Sequence, residues 1–146
     1  MRRIPWGMLL MAVVSVGICP AYGQELVIAE GGQSSYHIVI PEKASEPVRH
    51  AADELAKFIR EMTGANLSIR TDSFQPAADQ EILLGNNRRL QQLGVEIDWQ
   101  KLGKEGYTIK TVGQRLIIAG GEPRGTLYGV YGLLEDHWGC RWFTPD

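Results

Sequence analysis

From Val48 onward apolar side chains return at every third or fourth position. Val48, Ala51, Ala52, Leu55, Ile59 and Met62 form one stripe, while Arg49, Asp53, Glu54, Lys57 and Glu61 take the other side. That is the period of an amphipathic helix. Ser45 is placed to cap it and Pro47 fits the first turn, where a missing N–H costs nothing. Gly64 can end it in the left-handed region. A second helix is expected over Thr126 to His137, with Leu127, Val130, Tyr131, Leu134 and Trp138 on its apolar stripe. Gly125, Gly129 and Gly132 each cost helix propensity of up to about 1 kcal/mol, so close approach of this helix to a sheet is the physical reason for them.

Between and around the helices the period shortens to two or gives way to short apolar runs. Leu26 to Ala29 reads as a strand, Gly31-Gly32 as a turn, and Tyr36 to Ile40 as a second strand stopped by Pro41. A hairpin or two neighbouring strands is the simplest arrangement for that pair. Leu67 to Thr71 and Glu81 to Leu84 follow as strands, the latter closed by Gly85-Asn86-Asn87. Arg88 to Leu93 reads as one or two helical turns ended by Gly94. Tyr107 to Val112 and Arg115 to Ala119, separated by Gly113-Gln114, have hairpin spacing and are expected to pair antiparallel. Arg141 to Thr144 reads as a last strand before Pro145.

Composition narrows the functional classes. The 146 residues carry 15 basic and 17 acidic side chains, mixed along the chain, for a net charge of −2. That gives none of the basic footprint phosphate backbones demand, so nucleic acid is not an expected partner. The length cannot hold a (β/α)8 barrel, which typically takes about 250 residues.

Residues 1–23 read as a secretory leader. Arg2 and Arg3 give the positive start, Met8 to Ile18 is uncharged and largely apolar, and Ala21 and Gly23 put small residues on either side of Tyr22. The run is well short of the roughly 20 residues a membrane-spanning helix needs. A lipid anchor on Cys19 would call for Leu and a small residue ahead of it, where Val16-Gly17-Ile18 stands instead. Cleavage after Gly23 leaves Gln24 first, a periplasmic or extracellular domain over 24–146, and Cys140 as the single thiol, which can make no intrachain disulfide.

Candidate chemistry is sparse. Gly120-Gly121-Glu122-Pro123-Arg124-Gly125 follows a strand and opens a helix, but the glycine spacing is not that of a dinucleotide loop and no Lys-Ser/Thr pair follows. It reads as a tight turn that aims the second helix. His37, His50 and His137 are isolated. Glu135, Asp136 and His137 are consecutive and diverge by about 100° per residue on a helix, so no metal site and no cofactor are expected. Cys140, between Trp138 and Trp142, reads as a buried small apolar side chain. Glycosidic hydrolysis needs two carboxyl groups across a sugar, and nothing in the sequence places Glu122, Glu135 or Asp136 that way.

The run from Gly120 through Arg124-Gly125-Thr126-Leu127-Tyr128-Gly129-Val130-Tyr131-Gly132 to Glu135, continued by His137-Trp138-Gly139-Cys140-Arg141-Trp142-Phe143-Thr144-Pro145, resembles the N-terminal domain of bacterial proteins related to α-glucuronidases of glycoside hydrolase family 67. It is similar in plan to the small domain ahead of the barrel in β-N-acetylhexosaminidases. Ala52-Asp53-Glu54-Leu55 leading to Met62-Thr63-Gly64, and Glu105-Gly106-Tyr107-Thr108-Ile109, fit the same resemblance. It implies an α+β fold, a mixed sheet with two long helices packed on one side, ahead of a glycan-acting barrel in the same polypeptide. In that family the barrel carries the acid and base, so no catalytic residue falls here. An accessory domain contributes packing and one wall of a substrate cleft, and the expected contacts to an oligosaccharide or polysaccharide are Arg124, Tyr128, Arg141 and Trp142. The alternative is a free-standing carbohydrate-binding module.

Overall fold

The computed structural model describes residues 25–140. The proposed leader and the expected last strand, Arg141 to Thr144, lie outside them.

Among the described residues five strands form one sheet. β1 (His37–Ile40) is followed by α1 (Glu46–Thr63), β2 (Ser68–Thr71), β3 (Glu81–Leu84), α2 (Arg88–Gln92) and α3 (Trp99–Leu102). The hairpin of β4 (Tyr107–Val112) and β5 (Arg115–Gly120) comes next, and α4 (Gly125–Gly132) runs into a π-helical turn over Leu133–His137. The spatial order is β2-β1-β3-β5-β4. β1 pairs parallel with both β2 and β3, β3 pairs parallel with β5, and only β4 runs antiparallel to its neighbour. The expected α+β architecture with a mixed sheet is the one found.

Alternation along the three central strands builds two cores. Ile38, Ile40, Ile82, Leu84, Leu116 and Ile118 point to one face, where α1 supplies Val48, Ala51, Ala52, Leu55 and Ile59, and the α4 segment supplies Val130, Leu133 and Leu134. Val39, Leu83, Ile117 and Ala119 point to the other face, against Leu90 of α2. Strands buried on both faces read as continuous apolar runs, which is why Ile82-Leu83-Leu84 shows no polar alternation. Both long helices lie on the first face as expected. The second is covered by α2, α3 and half-buried Val95 and Ile97, a layer the sequence reading did not assign.

Leu26 to Ala29 does not form the expected strand beside β1. Gly31-Gly32 does turn, closed by reciprocal backbone hydrogen bonds between Glu30 and Gln33 at 2.9 and 3.0 Å. However, both edges of β1 are already taken by β2 and β3, so that strand has no free ladder to offer. Ser45 does occupy the N-cap position of α1, but its side chain makes no cap bond and donates instead to Glu122 Oε2 at 2.9 Å. Gly64 terminates the helix at φ 79°, its N–H donating to Arg60 O.

Candidate functional site

In open sheets of parallel strands, ligands collect beyond the carboxyl ends, at the crevice where successive connections leave in opposite directions. Here that point lies between β1, whose chain leads to β2 on one side, and β3, whose chain leads towards β5 on the other. Side chains close it. The buried carboxylate of Asp72 accepts the Glu42 amide on Oδ1 at 3.0 Å and the Arg88 amide on Oδ2 at 2.9 Å. Buried Asn87 donates through Nδ2 to Val39 O at 3.0 Å and accepts the Arg89 amide on Oδ1 at 2.9 Å. Arg88 pairs with Glu42 at 2.8 Å in the exposed layer above. The polar groups at this end of the sheet are thus engaged in holding the loops after β1, β2 and β3 together.

The turn from β5 into α4 is packed backbone on backbone. Gly121 N–H donates to Gly106 O at 2.9 Å and Gly125 N–H to Gly121 O at 2.7 Å. A Cβ on Gly129 would lie 2.6 Å from Ile118 Cγ2 and 3.2 Å from Tyr107 Cβ and Cγ. On Gly132 it would meet the Tyr107 hydroxyl oxygen. The three helix glycines therefore serve close approach to β4 and β5, as expected, and the Tyr107 side chain lies along α4 from Gly129 to Gly132.

Two of the four expected contact residues come together on this surface. Arg124 Nη2 pairs with Glu105 Oε1 at 2.6 Å, both side chains more than half exposed, and its guanidinium lies 6.0 Å from the Tyr128 ring centre. Glu105 and partly exposed Tyr107 flank Gly106 and border the same patch. The sequence reading assigned neither of them a contact role. The signal available was the glycine pair at positions 129 and 132, which marks where a ring from the sheet can lie against the helix. Arg141 and Trp142 lie outside the described residues. At 1.5 Å per residue, the helical segment carries the chain from Arg124 to Trp138 about 20 Å away.

A second polar cluster sits inside the fold. Glu81, 2% exposed, has Arg89 Nε 3.5 Å from Oε1 and Arg115 Nε 3.4 Å from Oε2. Arg89 also donates to Phe74 O at 2.6 Å and Arg115 to Ala78 O at 2.8 Å, so the two guanidinium groups pin the loop ahead of β3. His37, beside this cluster, hydrogen-bonds the Ser68 hydroxyl at 2.8 Å. Burial, seconded by the charge of Arg70, holds its imidazole below the ordinary pKa of 6.5, against an opposing pull from Glu81. Burial pushes the Tyr36 phenol upward. Among the described residues no group of three His, Cys, Asp or Glu side chains is arranged to hold a metal ion. Cys140 packs against the first core, its Sγ 3.5 Å from Met62 Sδ.

A family model described as "Glycosyl hydrolase family 67 N-terminus" matches residues 28–133. No curated protein matches the chain. Among solved structures, a family GH115 4-O-methyl-alpha-glucuronidase with specificity for decorated arabinogalactans is similar at 21% identity and a TM-score of 0.50. The match covers 73% of this chain and 15% of that one, and it shows a shared fold.

Proposed function

Because the chain belongs to the glycosyl hydrolase family 67 N-terminus family, we propose that it is the non-catalytic N-terminal domain of an exported glycan-degrading hydrolase. It supports a catalytic barrel in the same polypeptide and lends one surface to the handling of an oligosaccharide or polysaccharide. The observation that supports this most directly is the crevice between β1 and β3. Asp72 and Asn87 use their polar atoms there on backbone groups, and the protein stabilises its own loops at the place where this kind of sheet usually takes a ligand.

On this reading Arg124 and Tyr128 contact the glycan, with Glu105 holding the guanidinium in place. Residues 1–23 direct export and are removed after Gly23, which N-terminal sequencing of the secreted product reads as a start at Gln24.

The deciding experiment compares sugar release from a panel of decorated polysaccharides by this chain and by the full product of its gene. Release by the full product alone is the expected result, and release by the 146-residue chain overturns the accessory reading. Tight oligosaccharide binding by the isolated chain favours a free-standing carbohydrate-binding module instead.

A further inference from the structure

The two ends of the α4 segment carry unlike surfaces. Around its start the exposed side chains of Glu105, Glu122 and Arg124 are charged. Around its end two grooves, of about 300 and about 410 Å³, share Leu26, Ile28 and Trp138 in their walls. One continues to Ile59 and Met62 of α1, the other to Ile109 and Leu116 of the β4–β5 hairpin. Val27 is 58% exposed and Met62 43%, so two of the large exposed apolar side chains sit on this one surface.

Its chemistry suits protein better than sugar. Of the residues lining the two grooves only Glu25, Lys110 and His137 are ionisable, and the Lys110 ammonium donates to Glu96 O at 3.4 Å. A site for a small polar ligand brings a few polar groups to converge on it. Tryptophan, methionine and aliphatic side chains with few charges among them are the make-up of the buried centre of a protein interface. Cys140, the last described residue, lies at the same place. Its N–H donates to Leu134 O at 2.8 Å and its Sγ is 3.5 Å from Met62 Sδ. Polypeptide that follows is therefore tethered beside the grooves and meets them at a far higher effective concentration than a second copy does.

We propose that these grooves are the docking face for the domain that follows in the same polypeptide, whose apolar side chains enter them beside Met62 and Trp138. This rests on the reading of the chain as the N-terminal domain of a longer hydrolase and adds where the two domains meet. It divides the α4 segment between two tasks, with the charged end turned to the glycan and the apolar end holding the barrel.

Photo-cross-linking on the full gene product tests it. The photoreactive residue p-benzoylphenylalanine is placed at Val27, and in a second preparation at Met62, and the captured peptide is identified by mass spectrometry. Both positions reach water, so the label needs no repacking of the core. Capture of peptides from beyond residue 146 at Val27 or Met62, well above that with the label at Asp79, whose side chain is 96% exposed, is the expected result. Capture only within residues 24–146, capture of a second copy, or no capture above the Asp79 level each overturns the docking face. A gene that ends at Asp146 overturns the N-terminal-domain reading and this inference with it. A longer product that fails the capture test leaves that reading standing and removes this inference alone.

Discussion

Asp72 and the amide of Arg88 meet at 2.9 Å although one follows β2 and the other follows β3. The same carboxylate holds the Glu42 amide beyond β1, so a single buried side chain joins the loops after three strands. Asp72→Ala strips two part-buried backbone donors of their acceptor; a fully buried group left unsatisfied costs about 1–3 kcal/mol, and access to water lowers that cost for each of these two. Urea unfolding is expected to show a loss of about 1–3 kcal/mol. Asp72→Asn, which can keep one accepting oxygen, loses less.

Gly129→Ala sets two effects against each other. Alanine raises helix propensity by about 1 kcal/mol, but its Cβ would fall 2.6 Å from Ile118 Cγ2. Overpacking of that kind typically costs about 1–3 kcal/mol, so the variant is expected to melt at a lower temperature. Pairing it with Ile118→Ala tests the cause, because the double variant should lose less than the sum of the single ones.

Glu81→Gln leaves Arg89, 2% exposed, without its counter-charge. Breaking a buried pair from one side typically costs about 3–5 kcal/mol. The loop held by Arg89 and Arg115 contains exposed Phe74, so chymotrypsin cleavage after Phe74 should accelerate in the variant while the wild-type chain resists.

His37 gives the stability a pH dependence of known sign. Its folded pKa lies below 6.5, so below that value the unfolded chain binds the proton more readily. The contribution of the neutral imidazole is complete above the unfolded value and is lost as pH falls through 6.5 towards the folded one. Unfolding free energies measured across this window should fall on acidification, and His37→Gln should flatten the slope.

Arg124→Ala breaks an ion pair whose partners are both more than half exposed. Such pairs contribute about 0–1 kcal/mol, so the melting temperature should hardly move. Any loss of polysaccharide turnover in the full gene product carrying Arg124→Ala or Tyr128→Ala then reports on contact with the glycan.

What could be read from the sequence follows the range of the forces involved. α1 was legible because its period, Pro47 and Gly64 are all local, and the β4–β5 hairpin because Gly113-Gln114 sets its spacing. Strand order was not. Whether Leu26–Ala29 or β3 pairs with β1 depends on residues more than 40 positions apart, and α3, four residues long, is too short to display a period. Of the expected site, Arg124 and Tyr128 do meet, since four positions on a helix face the same way. Glu105 escaped because it is 19 residues from its partner. Asp72 and Asn87 are buried only by the convergence of the loops after β1, β2 and β3, which no local pattern displays.

The parallel pairing of β3 with β5 also sets a timetable for synthesis. β1, α1, β2 and β3 can assemble as soon as Leu84 has left the ribosome, but the outer edge of β3 then presents Ile82, Leu83 and Leu84 with no neighbour until Gly120 follows. A nascent chain halted in that interval carries a bare apolar ladder of the kind that recruits other chains. Truncations ending between Gly85 and Tyr107 are therefore expected to aggregate, which the pelleted fraction on expression reads against the 146-residue chain.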